Sequence, residues 1–420
     1  DCIDYALEQN ITLRKNRINA ESSAIDVKTA KAALFPSLSF STSQNVVNRP
    51  YQESSSFISG SEVLRSSSKT SYNGNYGLNA QWTVYNGNKR LKTIKQEKLN
   101  NRVAELEVAT SENSMEESIT QTYIQILYAA ESVKVNENTL AVSEAQRDRG
   151  RELLSAGSIS KADQAQLEAQ VSTDRYQLVT AQATLQDYKL QLKQLLELDG
   201  EEEMNLYLPT LDDSKVLSPL PSKADVYHSA LALRPEIESS KLNVQSSELG
   251  INIARAGYMP SISLSAGIGT NNTSGSDFTF AQQVKNGWNN SLGLSVSVPI
   301  FNNRQTKSAV QKAKLQHKTS MLDLLDEQKT LYKTIEGLWL DANSAQQRFA
   351  AAQEKLRSTS ISYELISEQF NLGMKNTVEL LTEKNNLLSA QQEMLQSKYM
   401  AILNTQLLKF YEGEKIVISE

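Results

Sequence analysis

The side chains that most often carry chemistry are scarce in this chain. Over 420 residues there is one cysteine, Cys2, and there are two histidines, His228 and His317. A zinc site needs clustered Cys or His ligands, and a catalytic thiol needs a base within reach. Residues so dispersed offer neither. No Gly-x-x-x-x-Gly-Lys-Ser/Thr phosphate loop, Gly-x-Ser-x-Gly elbow or His-Glu-x-x-His pair occurs. The expectation is no catalytic residue, no metal, no cofactor and no enzyme. His228 and His317 read as ordinary surface or packing residues. Cys2 has no intrachain disulfide partner and, in the context Asp1-Cys2-Ile3-Asp4-Tyr5, reads as a small packed residue at a helix start, with a lipidated N-terminus as the alternative. A balance of 43 Lys+Arg against 48 Asp+Glu leaves no global basic field for nucleic acid.

The elements must then explain the chain. Gly and Pro together number 25, about half the usual share, so turns are few and the elements long. Apolar content of 39% is low for a compact core of this size and suggests an elongated, wet molecule or burial against other chains. Four windows lack Asp, Glu, Lys and Arg: residues 32–48, 70–88, 256–276 and 286–303. They are long enough for membrane helices, but their content alternates. Leu38 and Phe40 are interleaved with Ser37, Ser39 and Ser41. Leu78, Trp82 and Val84 are interleaved with Asn79, Gln81 and Thr83; Ile262 and Leu264 with Ser261 and Ser263; Leu294, Val296 and Val298 with Gly293, Ser295 and Ser297. Period two means strands.

A soluble half-buried sheet usually puts Lys and Glu on its wet face, whereas here the polar face is Ser, Asn, Gln, Thr and Gly. That is the pattern of transmembrane barrel strands, with Leu38, Phe40, Leu78, Trp82, Val84, Ile262, Leu264, Leu294, Val296 and Val298 toward lipid and an uncharged face toward a lumen. Tyr72, Tyr76, Trp82, Tyr85 and Trp288 fall where an aromatic girdle would lie.

The chain is also duplicated. Residues 31–39 (KAALFPSLS) recur as 255–263 (RAGYMPSIS), and the Val84-Tyr85-Asn86 strand end recurs as Ile300-Phe301-Asn302, 216 residues on. Each copy reads as helix, strand pair, very long helix, tight turn and return helix. The first repeat takes residues 1–200, with helix over 3–34, strands near 37–47 and 74–85, a long helix over 88–154, a turn at 155–160 and a return helix over 161–198. A linker of irregular composition takes 201–223. The second repeat takes 224–410, with helix over 224–258, strands near 261–270 and 288–301, a long helix over 304–372, a turn at 371–376 and a return helix from 377; residues 411–420 form a tail. The serine-rich segment 48–71 reads as a long loop of the first strand pair. Leu331, Ile335, Leu338, Ala342, Ala345, Phe349, Ala352 and Leu356 keep the 4,3 spacing of a coiled-coil seam. Gly157 and Gly373 suit left-handed helix ends. The fold class is mainly α with membrane β, and four strands are too few to close a barrel. Open edges are not viable in lipid, so copies must combine. The alternative is a soluble coiled-coil scaffold with a small β cap.

These features together resemble the TolC-like outer-membrane efflux proteins across essentially the whole chain. The resemblance rests on Cys2-Ile3-Asp4-Tyr5-Ala6-Leu7, on Arg234-Pro235-Glu236-Ile237, on the two Pro-Ser-Leu/Ile-Ser strand starts, on Trp82-Thr83-Val84-Tyr85-Asn86-Gly87 and Val298-Pro299-Ile300-Phe301-Asn302, and on the two Gly turns. It implies a homotrimer with a 12-stranded barrel in the outer membrane of a Gram-negative bacterium and an α-helical tunnel through the periplasm. It also implies a periplasmic adaptor protein and an inner-membrane transporter of the RND or ABC type as partners, in drug or metal efflux or type I secretion. The turns Gly157-Ser158 and Gly373-Met374 would then form the periplasmic tip and contact the adaptor. By position, Asp163 and Lys375 match latch residues, Glu379 and Thr382 match constriction-ring positions that are acidic in the best-known members, and Phe370 stands where a latch tyrosine would be. Thr382 removes one acidic ring and Phe370 removes a hydrogen-bond donor, leaving a Lys375–Asp163 pair to carry the latch. Asp163 and Glu379 also sit where a helix N-terminus favours an anion. With no leader visible, the expectation is a chain trimmed at its start.

Overall fold

The computed structural model describes residues 2–51, 55–59, 62–66, 69–199, 204, 206–209, 213 and 216–416. Both regions read above as single leading helices are broken, each for a local reason. Helix α1 (Cys2–Gln9) stops before Asn10, whose side-chain oxygen accepts from the N–H groups of Thr12 at 2.9 Å and Leu13 at 3.2 Å and so caps α2 (Ile11–Ala32). The second leading helix divides into α5 (Lys223–Leu233) and α6 (Pro235–Arg255) at Arg234, because Pro235 has no N–H to continue a helix but fits its first position.

Four strands form one antiparallel sheet in the order β1 (Ser37–Asn48), β4 (Thr70–Asn86), β5 (Ser261–Thr273), β6 (Asn289–Ser297). Two features of the connections were not anticipated. Segment 48–71 carries a hairpin of β2 (Ser55–Ser59) and β3 (Glu62–Ser66), and a short helix, α7 (Phe280–Asn286), precedes β6. Thr279 caps α7 in a reciprocal capping box with Gln282. The last strand is shorter than expected, ending at Ser297, so Val298 lies beyond it.

Each strand pair leads into a 67-residue helix, α3 (Lys89–Ser155) or α8 (Gln305–Asn371), followed by a return helix, α4 (Lys161–Leu195) or α9 (Thr377–Glu412). The transition from strand to long helix is made the same way twice. Gly87 and Asn88 have φ of 68° and 60°, and Asn303 and Arg304, 216 residues later, have 49° and 64°. Two consecutive left-handed residues turn the chain sharply, at a cost that Gly and Asn bear more easily than Arg.

The chain forms two compact units, each drawing on both halves of the sequence: residues 21–103 with 242–322, which hold the sheet, and residues 1–20, 104–241 and 323–420. In the latter, the seam read from the sequence is buried at Leu331, Ile335, Ala342, Ala345, Phe349 and Ala352. One core cluster joins Leu331, Ile335 and Ala342 to Val226, Ala230, Ile237 and Leu408. Another gathers Ala6, Ile119, Ile126, Leu192 and Leu196, with Cys2 and Ile3 packed against it.

Candidate functional site

The sheet sorts its residues by face. Direct partners across an antiparallel ladder project from the same face, and the register aligns Phe40 with Leu78 and Ile268, Leu38 with Ala80, Ala266 and Leu292, and Trp82 with Leu264 and Leu294. The opposite face aligns Ser39 with Asn79, Gly267 and Ser291. A bulge between Thr83 and Tyr85 inserts Val84 and pairs Tyr85 with Ile262, which is in turn opposite Val296. Bulges of this kind bend a strand and increase its twist. The apolar face is uncovered: Leu38 is 70% and Leu294 69% exposed, and Phe40, Leu78, Trp82, Val84, Val296 and Val298 are exposed as well, with Ile262 and Leu264 half-buried. Trp82 donates its indole N–H to the carbonyl of Leu34 at 2.7 Å, which fixes an aromatic ring where the strand meets the preceding turn. Charge is absent from both faces, and β1 and β6 are the two sheet edges.

In the helical unit, the glycine turns are built alike. After α3, Ser158 donates to the carbonyl of Leu153 at 2.8 Å and Gly157 to that of Leu154 at 3.0 Å; after α8, Met374 donates to Gln369 and Gly373 to Phe370, both at 2.9 Å. This is the Schellman arrangement, closed by a left-handed glycine, with φ of 75° at Gly157 and 72° at Gly373. Two residues further on, the return helices open with matching capping boxes, Ser160 with Asp163 and Asn376 with Glu379.

The boxes decide what the acidic tip residues do within one protomer. Asp163 accepts from the Ser160 hydroxyl at 2.6 Å and backbone N–H at 3.0 Å, and these bonds hold its carboxyl below the usual carboxylate range. Glu379 accepts from Lys375 at 2.5 Å and from the Asn376 N–H at 3.2 Å; the Lys375 ammonium is the main reason its carboxyl is also held low. Lys375 therefore pairs with Glu379 rather than with Asp163 in this chain. Thr382 is exposed and donates back to the Val378 carbonyl at 2.8 Å. Phe370 is buried and packs with Leu167 and Leu380, with Leu153 and Ile159 from the first turn against the same cluster. Met374 is exposed at its turn, as is Ser158.

Sequence reasoning missed a buried polar cluster above this tip. Lys384 of α9 donates to Asp174 of α4 and to Ser143 of α3; Ser143 donates to Asp174, and Gln170 supplies a further donor to Asp174 at 2.9 Å. Burial pushes the Lys384 ammonium below its ordinary pKa, and the carboxylate partly restores it. The signal was present. Asp174 falls on the 4,3 spacing of Leu167, Val171 and Leu178, and a polar residue on such a seam fixes register at the expense of apolar packing.

A second cluster explains the Arg234-Pro235 pair. Arg234 is buried, bonds Glu117 at 3.2 Å and lies over the rings of Tyr411 at 3.7 Å and Phe410 at 4.6 Å. Desolvation raises the pKa of both Glu117 and Tyr411. Among the described residues no group of three or more His, Cys, Asp or Glu is placed to hold a metal ion, and no helix is long and apolar enough to cross a membrane.

Comparison with known proteins places this geometry. Residues 2–197 and 226–413 match the family model described as outer membrane efflux protein. The outer membrane efflux protein BepC of Brucella suis is 22% identical over 281 residues, which is 67% of this chain and 59% of that protein's length. Toxin and drug export protein A of Aggregatibacter actinomycetemcomitans is 22% identical over 405 residues, 95% of this chain and 82% of the other. The CmeC outer membrane channel of Campylobacter jejuni superposes with a TM-score of 0.80 at 19% identity, covering all of this chain and 86% of CmeC.

Proposed function

The chain belongs to the outer membrane efflux protein family, and from that premise we propose that it is the outer-membrane exit duct of a tripartite efflux or type I secretion system. It conducts passively, catalyses no reaction, and leaves energy and substrate choice to an inner-membrane transporter of the RND or ABC type reached through a periplasmic adaptor. The observation that carries this reading is the sheet: a charge-free ladder with one exposed apolar face, one polar face and two open edges. Such edges must be closed in lipid. Three protomers would supply twelve strands, enough to enclose a hollow lumen rather than a packed core.

The Gly157-Ser158 and Gly373-Met374 turns present the ends that an adaptor would engage, and the gate lies beside them. Because Asp163 and Lys375 are each engaged within the protomer, a Lys375–Asp163 latch requires Lys375 to exchange Glu379 for an Asp163 it meets on assembly. Glu379, repeated around a threefold axis, would form an anionic ring favouring cations, with Thr382 adding no charge and Phe370 serving as packing beneath it. Light scattering of the detergent-purified protein should give a trimer mass, and planar bilayers should show channels whose conductance rises in Asp163→Ala and Lys375→Ala. A monomer that stays soluble without detergent would sink the duct reading; unchanged conductance in both variants would remove the latch.

A further inference from the structure

The helical end of the sheet carries an unbalanced charge. Residues 27–36 and 249–260, which lead into β1 and β5, and residues 86–96 and 298–312, which lead out of β4 and β6, together hold ten Lys or Arg and no Asp or Glu. The chain as a whole has more acid than base. The opposite end is mixed, with Arg49, Lys69 and Lys285 near Asp277. All ten cations lie in the compact unit that holds the sheet, and among the described residues none forms an ion pair.

Helix polarity explains only part of this. Lys31 and Arg255 close α2 and α6, where a helix dipole favours cations. Helices α3 and α8 begin at the same level, and Lys89, Arg90 and Lys92 or Lys307 occupy their first turns without an acid. That placement opposes the dipole, and it reverses the arrangement at α4 and α9, which open with Asp163 and Glu379. Arg304 adds a second cost: it holds φ of 64° at the position where the first copy has Asn88. Something anionic must compensate. The nearest carboxylates, Asp26, Glu97 and Glu248, border these segments on the side away from the sheet and leave the strand ends without one. Tyr258 and Met259, beside Arg255, are 52% and 51% exposed, so the collar mixes uncovered aromatic and apolar surface with charge where the strands end.

We propose that this basic collar binds the anionic phosphate headgroups of the phospholipid leaflet that faces the helices. The inference rests on the sheet standing in a bilayer. Each Lys or Arg near an anionic membrane surface contributes about 1 kcal/mol. Arg90 and Lys92 are half-buried and donate to the carbonyls of Thr83 and Asn252, while the exposed cations, Lys31, Lys89, Lys307 and Lys312 among them, are placed to collect it. The lipid would also screen the repulsion among collars brought together on assembly.

The test uses the full chain in an uncharged detergent, with phosphatidylglycerol or phosphatidylcholine added and bound lipid counted by native mass spectrometry. The parent should retain phosphatidylglycerol in preference. Replacing four exposed collar residues together, Lys31→Gln, Lys89→Gln, Lys307→Gln and Lys312→Gln, should cut that preference by roughly tenfold or more. An equal change of charge elsewhere, Lys134→Gln, Lys161→Gln, Lys329→Gln and Lys333→Gln, should leave it intact, and circular dichroism and light scattering check the fold of both. A parent with no preference, or a collar variant that keeps it, overturns the proposal. So does a collar variant whose ion selectivity in bilayers shifts while lipid retention does not, because the cations would then face the lumen. Channel formation by the parent in a zwitterionic bilayer is scored separately: its loss with lipid preference intact counts against the duct and leaves the collar standing.

Discussion

Lys384 and Asp174 form an ion pair whose side chains are only 4% and 1% exposed, and it ties the return helix of the second copy to that of the first, with Ser143 of α3 completing the contact. Desolvating two charges costs several kcal/mol, offset here by mutual attraction and by the hydroxyl and amide donors around the carboxylate. Removing one partner leaves the other buried and uncompensated. Asp174→Leu or Lys384→Met should each destabilise by about 3–5 kcal/mol, whereas the two combined should recover most of the loss. Denaturant unfolding of the detergent-solubilised protein, analysed as a double-mutant cycle, measures the coupling. Single variants as stable as the parent would show that the pair is not closed in solution.

The glycine turns offer a cleaner comparison. A Cβ built at either Gly157 or Gly373 meets nothing within 4 Å, so an alanine there adds no clash and its cost is that of the left-handed backbone alone. Gly157→Ala and Gly373→Ala should each cost about 1 kcal/mol and should cost the same. Hydrogen exchange across the last turns of α3 and α8 reads this locally. A much larger effect at one turn would mean that a neighbouring chain crowds that tip in the assembly.

The caps also predict a pH dependence. Asp163 and Glu379 have carboxyls held lower in the folded chain than in the unfolded one, by Ser160 and by Lys375 with the Asn376 N–H respectively. A depressed folded pKa stabilises above the unfolded value, near 4, and that stabilisation is lost as pH falls through the folded value. Thermal midpoints of the parent should therefore drop between pH 5 and pH 3 by more than those of an Asp163→Asn, Glu379→Gln double variant. Parallel pH profiles would remove the caps as the source.

Periodicity and duplication made the architecture readable because both are repeated many times along the chain. Strand faces follow from alternation through Leu38, Leu78, Leu264 and Leu294, and the Gly157 and Gly373 turns lie 216 residues apart. Breaks set by one residue were harder: Asn10 and Arg234-Pro235 each interrupt a helical pattern with a single capping or donor-deficient position. The Lys384–Asp174 pair was illegible from repetition because it violates the repeat. At the same offset, Asp174 corresponds to Ala390 and Lys384 to Glu168; Ala390 is buried, and Glu168 is exposed with Arg151 3.3 Å away. The latch was inferred by position, and position alone does not show that Lys375 has a nearer partner in Glu379 four residues along its own chain.

Neighbouring residues in β4 separate the two faces of the sheet. Leu78 lies opposite Phe40 and Ile268 on the apolar face, and Asn79 lies opposite Ser39 and Gly267 on the polar one. Leu78→Lys would place a charge in hydrocarbon at a cost of about 2–4 kcal/mol if near the bilayer midplane, repeated in every protomer. It should abolish assembled trimer in the membrane fraction. Asn79→Lys, one residue away, puts the same charge in water and should leave trimer yield unchanged, while a ring of cations in the lumen shifts bilayer ion selectivity toward anions. Resistance of the trimer to dissociation on electrophoresis and reversal potentials in a salt gradient give the two readouts. If Asn79→Lys blocks assembly and Leu78→Lys does not, the faces are reversed and the apolar side is the one that other protein covers.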